Sequence, residues 1–217
     1  MLTLLYLLLY FAPTEKLHFQ VIPQWQHESI RLGQPYAIEN DSITIEQWKC
    51  YIRICGLYRN NQLVFSFPKN HYLLDADNTS SLQWTVDVPA NIEYDALECE
   101  VGVDSAIQMQ GVQENTLDPE NDMYWSWQSG YIHTKVEASA IHPKRRYTLH
   151  IGGYRAPFNT LSRFRVPVAS DTVQLICPVD AWMNYAQKSP LSNIMQPCDE
   201  AKKMANAWAS MWYTRQP

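Results

Sequence analysis

The chain of 217 residues is 46% hydrophobic and 12% aromatic but only 18% charged, with a mean hydropathy of -0.33; this excludes an intrinsically disordered chain and a multispanning membrane protein. A formal net charge of -5, with no basic run beyond Lys144-Arg145-Arg146, leaves no stripe for tracking a phosphate backbone and excludes nucleic acid as a partner. Thirteen prolines against seven glycines place the turns on Pro, Asn, Asp and Ser, as in a sheet protein with long ordered loops.

Residues 1–11 form an almost unbroken apolar run, followed by Ala12-Pro13-Thr14-Glu15. The run has the length of a signal-peptide core and is too short to span a bilayer, so residues 1–13 are read as an export signal and no stable membrane insertion is expected. A first buried strand is the alternative, since no Lys or Arg precedes the run. Residues 14–217 show no linker, repeat or low-complexity segment and are read as a single domain.

From Leu17 to Cys177 the prevailing period is two. Leu17, Phe19 and Val21 alternate with His18 and Gln20; Trp48, Cys50, Ile52 and Ile54 alternate with polar partners, as do Leu82, Trp84, Val86 and Val88. The rhythm continues through Leu97, Cys99 and Val101, then Ile132, Thr134 and Val136, then Tyr147, Leu149 and Ile151, then Val173, Leu175 and Cys177. Repeated half-buried strands predict an all-β fold, an antiparallel β-sandwich. After Pro197 the period changes: Ala201, Met204, Ala205, Trp208, Met211 and Trp212 make one stripe at helical spacing, and predict a C-terminal helix packed on the sheets.

Five cysteines (Cys50, Cys55, Cys99, Cys177, Cys198) contain no C-x-x-C unit, so zinc and thiol-exchange readings fail. Cys177 with Cys198, or Cys50 with Cys99, are candidate bridges in an oxidising compartment; buried free thiols are the alternative.

The densest stretch is Leu117-Asp118-Pro119-Glu120-Asn121-Asp122-Met123-Tyr124-Trp125-Ser126-Trp127-Gln128-Ser129-Gly130-Tyr131, in which a turn precedes four aromatic residues. Such a cluster serves as a sugar-binding platform, a redox-active site or a core plug, and the cost of exposing so many rings favours the plug. His18, His133 and His150 fall in strands and point away from the apolar face, where two imidazoles on neighbouring strands suit a copper ion; a hydrogen-bonded structural histidine is the alternative for each. His27, His71 and His142 fall in loops, where solvated histidine is expected. Glu98 and Glu100 share a strand face and read as solvated carboxylates, while Asp104 and Asp118 read as loop braces. No Gly-x-Ser-x-Gly elbow, His-Glu-x-x-His helix, Walker loop or dinucleotide fingerprint is present, and no enzymatic activity is expected.

The string Leu117-Asp118-Pro119 with Met123-Tyr124-Trp125-Ser126-Trp127-Gln128-Ser129-Gly130-Tyr131, and Lys135 and Glu137 downstream, resembles the signature of the MbnP-like domain family. Lys49-Cys50-Tyr51-Ile52, Tyr72-Leu73-Leu74-Asp75, Val101-Gly102-Val103-Asp104-Ser105 and Leu149-His150-Ile151-Gly152-Gly153-Tyr154 resemble its other motifs in order. The resemblance implies a periplasmic or secreted β-sandwich of copper homeostasis, binding copper through histidine and a tryptophan that a partner di-haem enzyme oxidises to kynurenine. Carried over, His150 is the best-matched metal ligand, with His18 second, and Trp125 and Trp127 are the candidate tryptophans. Asp122 and Ala138 stand where the family usually has glycine, and Val21 stands where its N-terminal strand has histidine. His18 lies on the opposite pleat face from position 21, so it serves as a ligand only if the register shifts. An extracellular interaction or carbohydrate-binding module on Tyr124, Trp125, Trp127 and Tyr131, without metal, is the alternative function.

Overall fold

The computed structural model describes residues 13–39, 41–126, 130–141 and 144–215. The apolar run expected to be an export signal lies outside the described residues, as do Trp127 and His142.

In chain order the first half holds β1 (Thr14–Trp25), β2 (Glu28–Ser29), β3 (Pro35–Ile38), β4 (Asp41–Arg59), β5 (Gln62–Ser66), β6 (His71–Asp75), β7 (Gln83–Pro89) and β8 (Ala96–Val101). The second half holds α1 (Ser105–Gln108), β9 (Tyr124–Trp125), β10 (Gly130–Ala140), β11 (Arg145–Gly152), β12 (Ser162–Pro167), β13 (Thr172–Pro178), α2 (Val179–Gln187), β14 (Asn193–Ile194), α3 (Asp199–Met211) and β15 (Tyr213–Thr214).

β1 keeps the alternation of its sequence, with Leu17, Phe19 and Val21 buried and His18 exposed. It joins β13 in parallel and β7 and β2 antiparallel, and β15 extends β13; these strands make the first sheet. The second sheet grows along β4, whose 19 residues give it length to pair in turn with β3, β10, β6, β8 and β5. Beyond these, β11 pairs with β10, β12 with β8, and β14 joins β11 in parallel. The strand-rich fold expected from the period-two pattern is therefore present, but both sheets are mixed rather than antiparallel throughout. The parallel partner of β1 comes from the far end of the chain, which local alternation cannot signal.

The inward residues of both sheets share one core with α2 and α3, and Trp48, Trp182 and Trp208 are fully buried in it. α3 places Ala201, Met204, Ala205, Trp208 and Ala209 on its buried face, the stripe read from the sequence, and packs on β11 and β12. Asp199 and Glu200 in its first turn complement the positive helix end, and the Cys198 sulfur accepts from the Ala201 amide. The unforeseen α2 buries Val179, Trp182, Met183 and Ala186, and the Trp182 indole donates to the Met204 carbonyl at 3.1 Å, tying the two helices together.

All five cysteines are free thiols, and Cys50, Cys99 and Cys177 are buried. Burial pushes the Cys50 thiol up to about 12, so its reactive thiolate is suppressed.

A second, smaller apolar cluster lies on the other face of the second sheet: Tyr51, Val103, Leu117, Met123, Trp125, Tyr131 and Ile132. It forms because the segment from α1 to β9 folds back over the outward side chains of β4 and β10. This cover turns one outer sheet face into an interior.

Candidate functional site

On the covered face the strand registers align one row of side chains across four strands. Asp75 of β6 faces Lys49 of β4, Lys49 faces Lys135 of β10, and Lys135 faces His150 of β11. Two lysines directly opposite each other repel unless each has its own counter-charge. Lys49 Nζ meets Asp75 Oδ2 at 3.2 Å, and Lys135 pairs with Asp122 from the covering segment. Both ammonium groups also donate to main-chain carbonyls of that segment, Lys49 to Asn121 at 3.1 Å and Lys135 to Asp122 at 3.3 Å. The lysines therefore pin the two residues that precede Met123-Tyr124-Trp125.

Asp122 adopts φ 60°, the left-handed conformation that ends the short turn Pro119–Asn121. That conformation accounts for the glycine usual at this position, and Asn or Asp tolerate it better than other side-chain-bearing residues. Burial pushes the Asp122 carboxyl up, but the hydrogen bond and charge of Lys135, with help from Gln47 and Lys49, bring it to a net value below the usual range.

His150 is 6% exposed although its strand position faces away from the main core. Its Nε2 lies 3.2 Å from Glu137 Oε1, and Glu137 also holds Arg146 at 3.0 Å. Burial, and next the Lys135 ammonium, hold the imidazole below its ordinary pKa against the opposing pull of Glu137. For Glu137 itself burial acts upward, but its bonds to Arg146 and His150 leave it below the usual carboxylate range. A neutral imidazole facing a carboxylate through Nε2 carries its proton there, so the partner assigns the Nε2–H tautomer and leaves the lone pair on Nδ1. This is the orientation device commonly found behind a metal-binding histidine.

Trp125 is 1% exposed and belongs to the short pair of β9 with β10, in which Trp125 faces Gly130. A Cβ added to Gly152 would lie 2.9 Å from the Trp125 ring and 2.7 Å from the Tyr131 carbonyl. Glycine at 152 therefore makes room for the indole to lie on β11. Gly152 and His150 point to the same strand face, with Cα atoms about 7 Å apart by strand geometry. Trp125 thus lies against the strand face that also carries His150, at the position two residues along.

His18 stands elsewhere. It is exposed, meets Thr85 Oγ1 at 3.2 Å through Nδ1 and alternates with core-facing Leu17 and Phe19 on the first sheet. The main core lies between it and His150, so the two imidazoles cannot share an ion. Val21, at the position where the family has histidine, is 2% exposed and part of that core.

His133 takes the structural reading. It sits at the bulge of β10; Nε2 lies 2.8 Å from the Gln108 amide and Nδ1 lies 2.9 Å from Thr160 Oγ1. Burial lowers its pKa to about 4, so it is neutral with both nitrogens occupied. Gly102, at φ +112°, yields space to this ring, since a Cβ there would sit 2.4 Å from Nδ1. Asp104 caps α1 through the Ala106 and Ile107 amides, and Gln108 returns from α1 to His133 and to the Tyr131 amide. The Val101-Gly102-Val103-Asp104-Ser105 motif is thus a brace under the aromatic cluster, as expected for Asp104. Asp118 likewise caps the next turn through the Glu120 amide.

His71 departs from the solvated loop residue expected: it opens β6, is 8% exposed, and burial lowers its pKa to about 4. Glu98 and Glu100 also differ from solvated carboxylates. Glu100 is 1% exposed between Arg53 and Arg163, and Glu98 holds Arg165 at 2.9 Å. Trp125 and Tyr131 are buried and Tyr124 is half-buried, so these rings form a plug and offer no open sugar platform. The lysine row was not foreseen; the register that aligns it is invisible in the sequence, though Lys135 and Glu137 stood in the motif.

Among the described residues no three His, Cys, Asp or Glu side chains gather as a metal-holding group, and no helix is long and apolar enough to cross a membrane. The imidazole with its Nδ1 lone pair fits one copper donor.

The family model named MbnP matches residues 14–199 of the chain. Among solved structures, MbnP from Methylosinus trichosporium is similar over 85% of this chain and 81% of its own, at 14% identity and a TM-score of 0.49. Comparison with curated protein sequences finds no match.

Proposed function

The chain belongs to the MbnP family, and on that premise we propose that it is an exported, non-catalytic copper-binding protein of copper homeostasis or delivery, acting in the periplasm or outside the cell. Copper is held at His150 through Nδ1, with Glu137 fixing the tautomer and Trp125 as the source of the second donor. The observation that carries the reading is the seat of Trp125 on Gly152, beside His150 on the same strand face. An indole has no lone pair to spare for a metal. Oxidation to kynurenine by a partner di-haem enzyme gives the side chain an amine and a ketone, and so a donor where none existed. Copper in its reduced state accepts few ligands and suits imidazole. His18, on the other sheet, has no part in this site.

Peptide mass mapping of protein isolated from its own source tests the assignment. Conversion to kynurenine at Trp125, together with bound copper, is the expected result. Unmodified tryptophan at 125 in copper-loaded protein contradicts the role given to this residue.

A further inference from the structure

A different part of the molecule carries unpartnered chemistry. Tyr72, on β6, stacks on Trp84 of β7 with centroids 4.5 Å apart, and Trp84 stacks on core residue Phe19 at 5.1 Å. Tyr72 is the outermost ring of this stack. Three clefts of about 290, 340 and 460 Å³ adjoin there, because Tyr72 lines all of them.

The walls of the middle cleft decide what it can take. Asn78, Gln83 and Asn115 present amides, Trp84 an indole edge, and Lys49 with Asp75 a charge pair already closed on itself. Lys49 also donates to the Asn121 carbonyl, so no spare cation is left for a phosphate or carboxylate ligand. An apolar ligand would strip water from the amides without replacing their hydrogen bonds, which is unfavourable. Two polar atoms nearby, Trp84 Nε1 and His71 Nε2, have no hydrogen-bond partner, but both are enclosed and not open to the clefts. Hydroxyl groups both donate and accept, and so match amides.

We infer that the middle cleft beside Tyr72 binds a neutral carbohydrate, with Tyr72 as the ring on which a sugar stacks and Gln83 and Asn115 as its hydrogen-bonding amides. The cleft volumes are in the range of small-ligand sites. The cleft shares Lys49 and Asn121 with the clamp of the covered face, but no residue of β11, and so not His150, lines it.

The test is a titration of the full chain with neutral cello-, malto-, xylo- and chito-oligosaccharides to about 10 mM, followed residue by residue by NMR. Saturable shifts at Tyr72, Gln83 and Asn115 with at least one series are expected. Tyr72→Leu should weaken that binding about tenfold. Gln83→Ala, on an exposed side chain that folding does not need, should weaken it severalfold, with copper content unchanged in both variants. The inference is overturned if no series gives saturable shifts, if shifts fall elsewhere, or if Gln83→Ala binds as the parent does.

Discussion

The outer faces of the two sheets carry similar sequence patterns and end in different states. His18 and His150 both alternate with core-facing residues on a strand, and each has a polar neighbour across the ladder. His18 remains exposed beside Thr85, whereas His150 is buried and tautomerically fixed by Glu137. The difference is made by the segment that covers the second sheet, pinned there by Lys49, Lys135 and the small cluster around Trp125 and Tyr131. An outward strand histidine becomes buried only when another element closes over it.

The largest expected effect lies beneath the covered face. His71 and His133 are held neutral by burial, each with a folded pKa of about 4 against 6.5 in the unfolded chain. Because the folded value is the lower one, their stabilisation is complete above about pH 6.5 and is lost as pH falls toward 4, at about 3 kcal/mol for each group. Urea unfolding at steps across that window should show the fall, and His133→Asn should reduce it by about half, leaving the contribution of His71; an unchanged unfolding free energy between pH 7 and pH 4 breaks the burial argument.

Next in size is Gly152→Val, which forces side-chain atoms against the Trp125 ring and the Tyr131 carbonyl and should cost about 3 kcal/mol. Its urea midpoint should drop while the same substitution at Gly33, where an added Cβ meets nothing within 4 Å, costs only the strain of a positive φ, about 1 kcal/mol. Equal losses at the two glycines would show that the indole is not seated on β11.

Asp122→Asn removes the counter-charge of a buried lysine but keeps a residue tolerant of the left-handed turn. A loss of about 2 kcal/mol is expected, reduced because Asp122 itself is largely exposed. High salt should shrink the gap between variant and parent, and a stability equal to the parent's would free Lys135 from its clamping role. The smallest effect belongs to the uncovered face: His18→Ala should change stability by less than about 0.5 kcal/mol.

Much of the scaffold was legible because burial imposes its period on the sequence. The cores of β1, β4, β7, β8, β10, β11 and β13 and the buried stripe of α3 all follow alternation or helical spacing. α2 was missed although Val179, Trp182, Met183 and Ala186 fall at helical spacing, because it starts directly after the last residue of β13, with no loop to announce it. The parallel pairing of β1 with β13 and the row Asp75, Lys49, Lys135, His150 depend on register between distant segments, which composition does not encode. Of the candidate site, Trp125 lies against the strand face that carries His150, while His18, carried over from the resemblance, lies on the other sheet, which a motif match cannot show because it does not say what covers a strand. The roles of Gly102 and Gly152 became readable only with the rings they accommodate.

The most direct measurement is copper equivalents per chain, by elemental analysis, on mature protein isolated from its own source, alongside His150→Ala and His18→Ala prepared the same way. About one equivalent in the parent and in His18→Ala, with none in His150→Ala, is the expected pattern for a site on the covered face. Copper retained by His150→Ala, or lost from His18→Ala, contradicts it.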